Sequence, residues 1–221
     1  MYKNIKVIGF DADDTLWVNE PFFRESEKRF CGIMKPYSSE ETANAELYKT
    51  EMQNMPLYGY GAKAFILSLI ETAIRISEHK ITASEIQQII DLGKDQLNRP
   101  VKLLDNVVTV LKTLKPHYRL ILATKGDLLD QERKLEKSGL AGYFHHIEIM
   151  SDKHEYNYSK LIKHLDIEPF EFVMIGNSVK SDILPVTNIG AHAIHVPYEI
   201  TWQHEHVCLE NNDLFVTVET D

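Results

Sequence analysis

Cysteine is nearly absent from this chain. Among 221 residues only Cys31 and Cys208 occur, too few to staple a protein of this size with disulfides. Long apolar runs are missing as well: no stretch approaches about 18 uninterrupted apolar residues, so nothing is expected to span a membrane. The opening segment, residues 1 to 8, has no secretory-type apolar core and no small-residue cleavage site. A cytoplasmic protein with reduced thiols is the expectation. Excess positive charge is lacking too, with 24 Lys plus Arg against 33 Asp plus Glu and a net charge of −9. That balance argues against nucleic acid or an anionic membrane as the main partner, but leaves room for a local cationic pocket. Gly-x-Gly-x-x-Gly and Walker-type loops are absent, so nucleotide cofactors are not indicated. What is present is ordinary globular composition, 43% hydrophobic, 26% charged and 10% aromatic. It excludes collagen-like, low-complexity and wholly disordered chains. The length suits one large domain or one and a half.

Short apolar, β-branched runs recur along the chain: Ile5 to Phe10, Tyr118 to Ala123, His146 to Met150, Phe172 to Ile175 and Ala191 to Val196. Runs of this kind read as strands buried on both faces, as in a parallel sheet. A last one, Leu214 to Val218, reads as an edge strand. Helical spacing lies between them, in Val107, Val108, Leu111 and Leu114 and again in Leu161, Ile162 and Leu165. Strands alternating with helices predict an α/β fold, a doubly wound parallel sheet of Rossmann-like type. The interval from 17 to 98 differs, because it holds no convincing strand and reads as four helices. They are Pro21 to Met34, a helix opened by Ser38-Ser39-Glu40-Glu41, the apolar Ala62 to Ser77, and one opened by the capping box Thr82-Ala83-Ser84-Glu85. Phe65, Ile66 and Ile70 read as the core of this helical block. The expected organisation is therefore a Rossmann-like core of residues 1–16 and 99–221, with residues 17–98 inserted as a helical domain.

In an open parallel sheet, ligands bind at the carboxyl ends of the strands. Asp11 and Asp13 follow the first strand, and Thr124, Lys125 and Gly126 the second. Ser151, Asp152 and Lys153 follow the third; Gly176, Asn177, Ser178 and then Asp182 follow the fourth. One crevice could thus gather carboxylates, a hydroxyl, ammonium groups and loop amides. Each residue alone has a bland reading as a strand end, a turn or a solvated charge. All of them at strand ends, in this order, form a pattern.

The pattern resembles the haloacid dehalogenase superfamily. Asp11-Ala12-Asp13-Asp14-Thr15-Leu16 is similar to its first motif, Asp-x-Asp-x-Thr. Thr124 fits the strand-end hydroxyl of the second motif and Lys153 the basic residue of the third. Gly176 to Asp182 resembles the Gly-Asp-x-x-x-x-Asp form of the fourth, with one departure: Asn177 stands where the family usually has Asp. The resemblance covers essentially the whole chain, and the insertion at 17–98 looks like the family's helical cap.

The resemblance implies a Mg²⁺-dependent phosphatase acting on a small phosphorylated metabolite, as a monomer or homodimer. Asp11 would be the nucleophile that forms an aspartyl-phosphate, and Asp13 the general acid and then general base. Thr124, Lys125 and Lys153 with loop amides would hold the phosphoryl oxygens. Mg²⁺, a hard ion that takes oxygen ligands, would be bound by Asp11, the backbone carbonyl of Asp13, and Asp182 or Asn177. Dehalogenases of the superfamily lack the second Asp, since a halide needs no proton; Asp13 therefore favours ester hydrolysis. A phosphomutase is the nearest alternative, and a non-catalytic phospho-switch or binding module is a more distant one. Asp14 reads as a first-turn polar residue and His204-Glu205-His206 as a solvated loop near the end of the chain; the segment Tyr58 to Lys63 reads either as projecting Tyr60 or Lys63 over the substrate or as a turn and helix start with Lys63 facing solvent.

Overall fold

The computed structural model describes residues 4–207 and 214–218; Cys208 lies outside the described residues. In chain order the elements are β1 (Val7–Phe10), α1 (Glu20–Met34), α2 (Glu40–Tyr58), α3 (Ala62–Ile76), α4 (Ala83–Asn98) and α5 (Val107–Leu114). Then come β2 (Arg119–Lys125), α6 (Leu128–Ser138), β3 (His146–Met150), α7 (Glu155–His164) and β4 (Phe172–Gly176). The chain closes with α8 (Leu184–Thr187), β5 (His192–His195) and β6 (Phe215–Thr217). Among the described residues no helix is long and apolar enough to cross a membrane.

The six strands form one sheet in the order β3-β2-β1-β4-β5-β6, and every neighbouring pair is parallel. This is the doubly wound architecture expected from the sequence. The chain steps outward from β1 to β3, then returns to add β4 on the other side of β1. The carboxyl ends of β1 and β4 therefore flank the switch point, where such sheets bind ligands. Successive strand residues face opposite sides. Val7, Ile121, Ala123, Phe172 and Met174 pack with Tyr158, Leu161 and Ile162 of α7 on one face. Ile8, Phe10, Leu120, Leu122 and Val173 pack with Val107 and Leu111 of α5 and Leu135 of α6 on the other. Burial on both faces is why these strands read as continuous apolar runs rather than alternating ones.

Two compact units result: Met1–Glu20 with Val101–Lys125 and Gln131–Asp221, and Pro21–Pro100 with Gly126–Asp130. The first holds the sheet. The second holds α1 to α4 around its own core of Phe30, Met34, Leu47, Phe65, Leu69, Ile89 and Leu92. Its helix starts follow the sequence signals. Ser39 Oγ accepts from the Thr42 amide at 3.2 Å. Thr82 Oγ1 accepts from the Glu85 amide at 3.2 Å while Glu85 Oε2 accepts from the Thr82 amide at 2.8 Å, a closed capping box. Lys63 is exposed, in line with the solvent-facing reading of the sequence, and its Nζ lies 3.0 Å from Asp127 within the same unit.

Candidate active site

β1 ends by delivering Asp11 to the switch point, and the backbone continues its ladder there, with the Asp11 amide donating to the Ile175 carbonyl at 2.9 Å. From the far side of the sheet, the segment after β3 brings in Lys153. Its ammonium lies 2.5 Å from Asp11 Oδ1 and 2.6 Å from Asp182 Oδ1, with only 1% of the side chain exposed. A lysine is buried this completely only when its charge is matched. Burial opposes the charged form, but Asp11 and Asp182 overcome it and hold Lys153 protonated well above its ordinary range. Burial likewise pushes the Asp11 carboxyl up to about 7, with Lys153 working against the rise.

Asp182 reaches this position because β4 runs into a π-helical turn, Val179–Ile183, a local irregularity often met at functional sites. The turn folds the Asp182 carboxylate back over the strand end, where Oδ2 accepts from the Ser178 amide at 3.0 Å. A Cβ on Gly176 would stand 2.3 Å from Asp182 Cγ, so the last residue of β4 has to be glycine for the two to approach. Tyr158, buried on α7, donates to the Ser181 carbonyl at 3.0 Å and lies 3.5 Å from Asp182 Oδ1. Burial holds its phenol well above the usual range, so it stays a donor.

Thr15 links the first and fourth motifs. Its hydroxyl lies 3.2 Å from both Asp11 Oδ2 and Asn177 Oδ1, and accepts from the Asn177 amide at 3.1 Å. One hydroxyl proton cannot serve two acceptors fully, which leaves acceptor capacity on both oxygens at the same place. The side-chain oxygens gathered here that a cation could use are those of Asp11, Asp182 and Asn177. That chemistry fits a hard divalent ion such as Mg²⁺. Among the described residues no three His, Cys, Asp or Glu side chains gather as a metal site. A set with two carboxylates is consistent with this.

The Asp13 carboxylate turns elsewhere. Oδ1 accepts from Trp17 Nε1 at 2.7 Å, and Lys134 Nζ lies 2.7 and 2.9 Å from its two oxygens. Gln131 Nε2 donates to Oδ2 at 2.9 Å, and also faces Thr124 Oγ1 at 3.2 Å and the Lys125 carbonyl at 2.9 Å. Thr124, 1% exposed at the end of β2, is thus joined to Asp13 through one amide. Lys125 is engaged by a second network, with its ammonium 2.8 Å from Ser181 Oγ and 2.6 Å from Glu205 Oε1.

Glu205 overturns the reading of residues 204–206 as a solvated loop. A 3-10 turn, Gln203–Glu205, carries this carboxylate inward, where it also accepts from the Ser178 and Ser181 hydroxyls. Burial alone would raise its carboxyl; Lys125 and the serines instead hold it down at about 2. Asp14 is likewise more than a polar first-turn residue. It is buried with φ 60°, and its oxygens accept from the Asn19 and Glu20 amides at 2.8 and 2.9 Å, at the start of α1. The sequence reading missed Gln131, Lys134 and Glu205. No motif marks them; only the i, i+4 burial of Gln131 and Leu135 on α6 could have pointed inward.

With the geometry in place, relatives can be compared. The sequence profile of the haloacid dehalogenase-like hydrolases matches residues 5–190. A glyceraldehyde 3-phosphate phosphatase of Methanothermobacter thermautotrophicus is 28% identical over 236 aligned positions, covering 98% of this chain and 96% of that protein. The crystal structure of a haloacid dehalogenase-like family hydrolase from Xanthomonas campestris superposes with a TM-score of 0.89 at 37% identity, over 97% of this chain and 86% of that one. An L-2-haloacid dehalogenase from Xanthobacter autotrophicus shares the fold, with a TM-score of 0.62 at 16% identity over 87% of this chain and 77% of that one. The strand-end order of the four motifs, the sheet that gathers them and these matches agree: the chain belongs to the haloacid dehalogenase-like hydrolases.

Proposed function

We propose that this hydrolase is a Mg²⁺-dependent phosphatase of small phosphorylated metabolites, with Asp11 as its nucleophile. The observation that carries the reading is the buried Lys153, whose single ammonium faces both Asp11 Oδ1 and Asp182 Oδ1. A carboxylate that attacks a phosphate dianion meets electrostatic repulsion, and fixed positive charge beside the attacking oxygen offsets it. Lys153 supplies that charge at no reorganisation cost. Asp11 attacks phosphorus in line, forming an aspartyl-phosphate. Thr124 holds a phosphoryl oxygen, Asp13 protonates the departing alkoxide, and the same residue then takes a proton from the water that hydrolyses the acyl-phosphate. Asp11, Asp182, Asn177 and the Asp13 carbonyl are the residues that would hold Mg²⁺. When bound, the ion screens phosphoryl charge and fixes an oxygen for in-line attack.

Asp13 favours an ester over a carbon–halogen bond, since an alkoxide needs the proton that a halide does not. The curated relative named above is a glyceraldehyde 3-phosphate phosphatase, so triose phosphates head the substrate panel. The test is phosphate release from that panel with Mg²⁺, by the natural protein and by Asp11→Asn. The amide cannot attack phosphorus, so turnover should vanish while circular dichroism stays native. Retention of more than about a tenth of the natural rate by Asp11→Asn would place the nucleophile elsewhere.

A further inference from the structure

We infer that Lys134, Trp17 and Gln131 form a cradle that positions the Asp13 carboxylate for proton transfer, with Lys134 as its charged member. The inference rests on the reading of Asp13 as the proton donor. Lys134 straddles the carboxylate, with contacts of 2.7 and 2.9 Å, and its third hydrogen faces Asn19 Oδ1 at 3.1 Å. Neither partner of the pair is freely solvated, with side-chain exposures of 18% and 24%. Trp17 is 1% exposed, and its indole N–H points at Asp13 Oδ1 from 2.7 Å. Carrying the carboxylate away would leave a buried donor without that acceptor, which folded proteins avoid. The carboxylate is held.

Gln131 shows that this holding has a second target. Its amide nitrogen has two hydrogens and faces three acceptors, on Asp13, Thr124 and the Lys125 backbone. Its Oε1 is buried with no hydrogen-bond partner among the described residues. Flipping the amide would set Oε1 against the Asp13 carboxylate and the Lys125 carbonyl, placing acceptor against acceptor. The orientation is therefore dictated by Asp13 and Lys125. Through this amide the proton donor and the hydroxyl assigned to the phosphoryl group keep a fixed separation. Such control matters because a misplacement of about 1 Å can slow a reaction roughly 100-fold. Lys134, Trp17 and Gln131 act through Asp13 and are positioning residues.

The test compares two phosphate monoesters under saturating Mg²⁺, an alkyl ester such as glycerol phosphate and p-nitrophenyl phosphate, whose leaving group needs no proton. Asp13→Asn is the control for the underlying reading: it should lose roughly 10²–10⁴-fold on the alkyl ester and far less on the aryl ester. Equal losses on both would sink the proton-donor assignment itself. Given the expected control, Lys134→Met should lower kcat about 10- to 100-fold on the alkyl ester with little change in KM or in the aryl rate. It should add almost nothing in the Asp13→Asn background. Trp17→Phe, which keeps the ring and deletes the donor, should give a smaller loss of the same pattern, and Lys134→Arg should regain part of the rate. Should Lys134→Met fail to fold, Lys134→Gln, which keeps N–H donors without charge, is read in the same way. The cradle is overturned if the Lys134 variant slows both esters alike, or costs as much with Asn at 13 as with Asp, while Asp13→Asn keeps its dependence on the leaving group.

Discussion

Thr15 has one hydroxyl proton for two oxygens, and the side chain at 177 decides how that shortage is resolved. Asn177 Oδ1 and Asp11 Oδ2 both stand 3.2 Å from the hydroxyl. An Asp at 177 would add a third carboxylate to Asp11 and Asp182, a pair that shares the single ammonium of Lys153. Without metal that is repulsive. With a divalent ion about 4 Å away, the extra charge is worth several kcal/mol at an effective dielectric of about 20, before desolvation is subtracted. Asn177→Asp should therefore lower the stability of the metal-free protein and reduce the Mg²⁺ concentration at half effect several-fold. A Mg²⁺ titration of the melting temperature without substrate reads this, beside the activation curve. Asp182→Asn, which removes a carboxylate from the site, should raise the Mg²⁺ concentration at half effect. If Asn177→Asp leaves both midpoints unchanged while Asp182→Asn abolishes the response, Asn177 lies outside the metal's reach.

At the level of elements, the helices packed by apolar stripes were legible from spacing, and those packed by polar contacts were not. The capping box at Thr82 and the cap at Ser39 announced α4 and α2, because the chemistry that caps a helix sits within four residues of its start. α6 gave no such pattern. Leu128 and Leu129 are exposed, while Gln131 and Leu135 face inward, so only one of the two buried positions is apolar and the 3.6-residue period is invisible. The same polar inward face hid Gln131 and Lys134 as partners of Asp13. Close packing can be hidden too: a Cβ on Gly93 of α4 would stand 2.1 Å from Ile66 Cγ1 on α3. Alanine is the better helix former by about 1 kcal/mol, yet overpacking costs about 1–3 kcal/mol, so Gly93→Ala should be a net loss of about 1 kcal/mol. Urea unfolding checks the value. In an Ile66→Ala background the two contacts near 2 Å are removed and only the Cβ at 3.2 Å remains, so the same substitution should cost clearly less; a loss of equal size in both backgrounds would mean that Ile66 is not the obstacle.

On the scale of the whole molecule, the motifs that fill the switch point could be read because each lies at a strand end, but their fastening could not. Glu205 closes a contact with Lys125, 80 residues earlier, and with Ser181, 24 residues earlier. Nothing in local spacing encodes such a meeting; it exists only once β2, β4 and the segment after β5 lie side by side. Its energetic sign is clear. The Glu205 carboxyl is lowered from 4.5 to about 2 in the folded protein, so the folded state binds its proton less readily than the unfolded chain. The resulting stability is fully present above about pH 4.5 and is lost as the pH falls towards 2. At 1.36 kcal/mol per pKa unit this amounts to about 3 kcal/mol. Glu205→Gln keeps the shape and an acceptor oxygen but removes the charge facing Lys125. Near neutral pH it should cost about 2–3 kcal/mol, lowering the melting temperature by roughly 5–10 °C at this chain length. Between pH 5 and 3 the gap between natural protein and variant should narrow, because acid neutralises in one what the substitution has already removed from the other. A gap that stayed constant across that range would show that Glu205 stabilises the fold through shape, and that its charge contributes nothing.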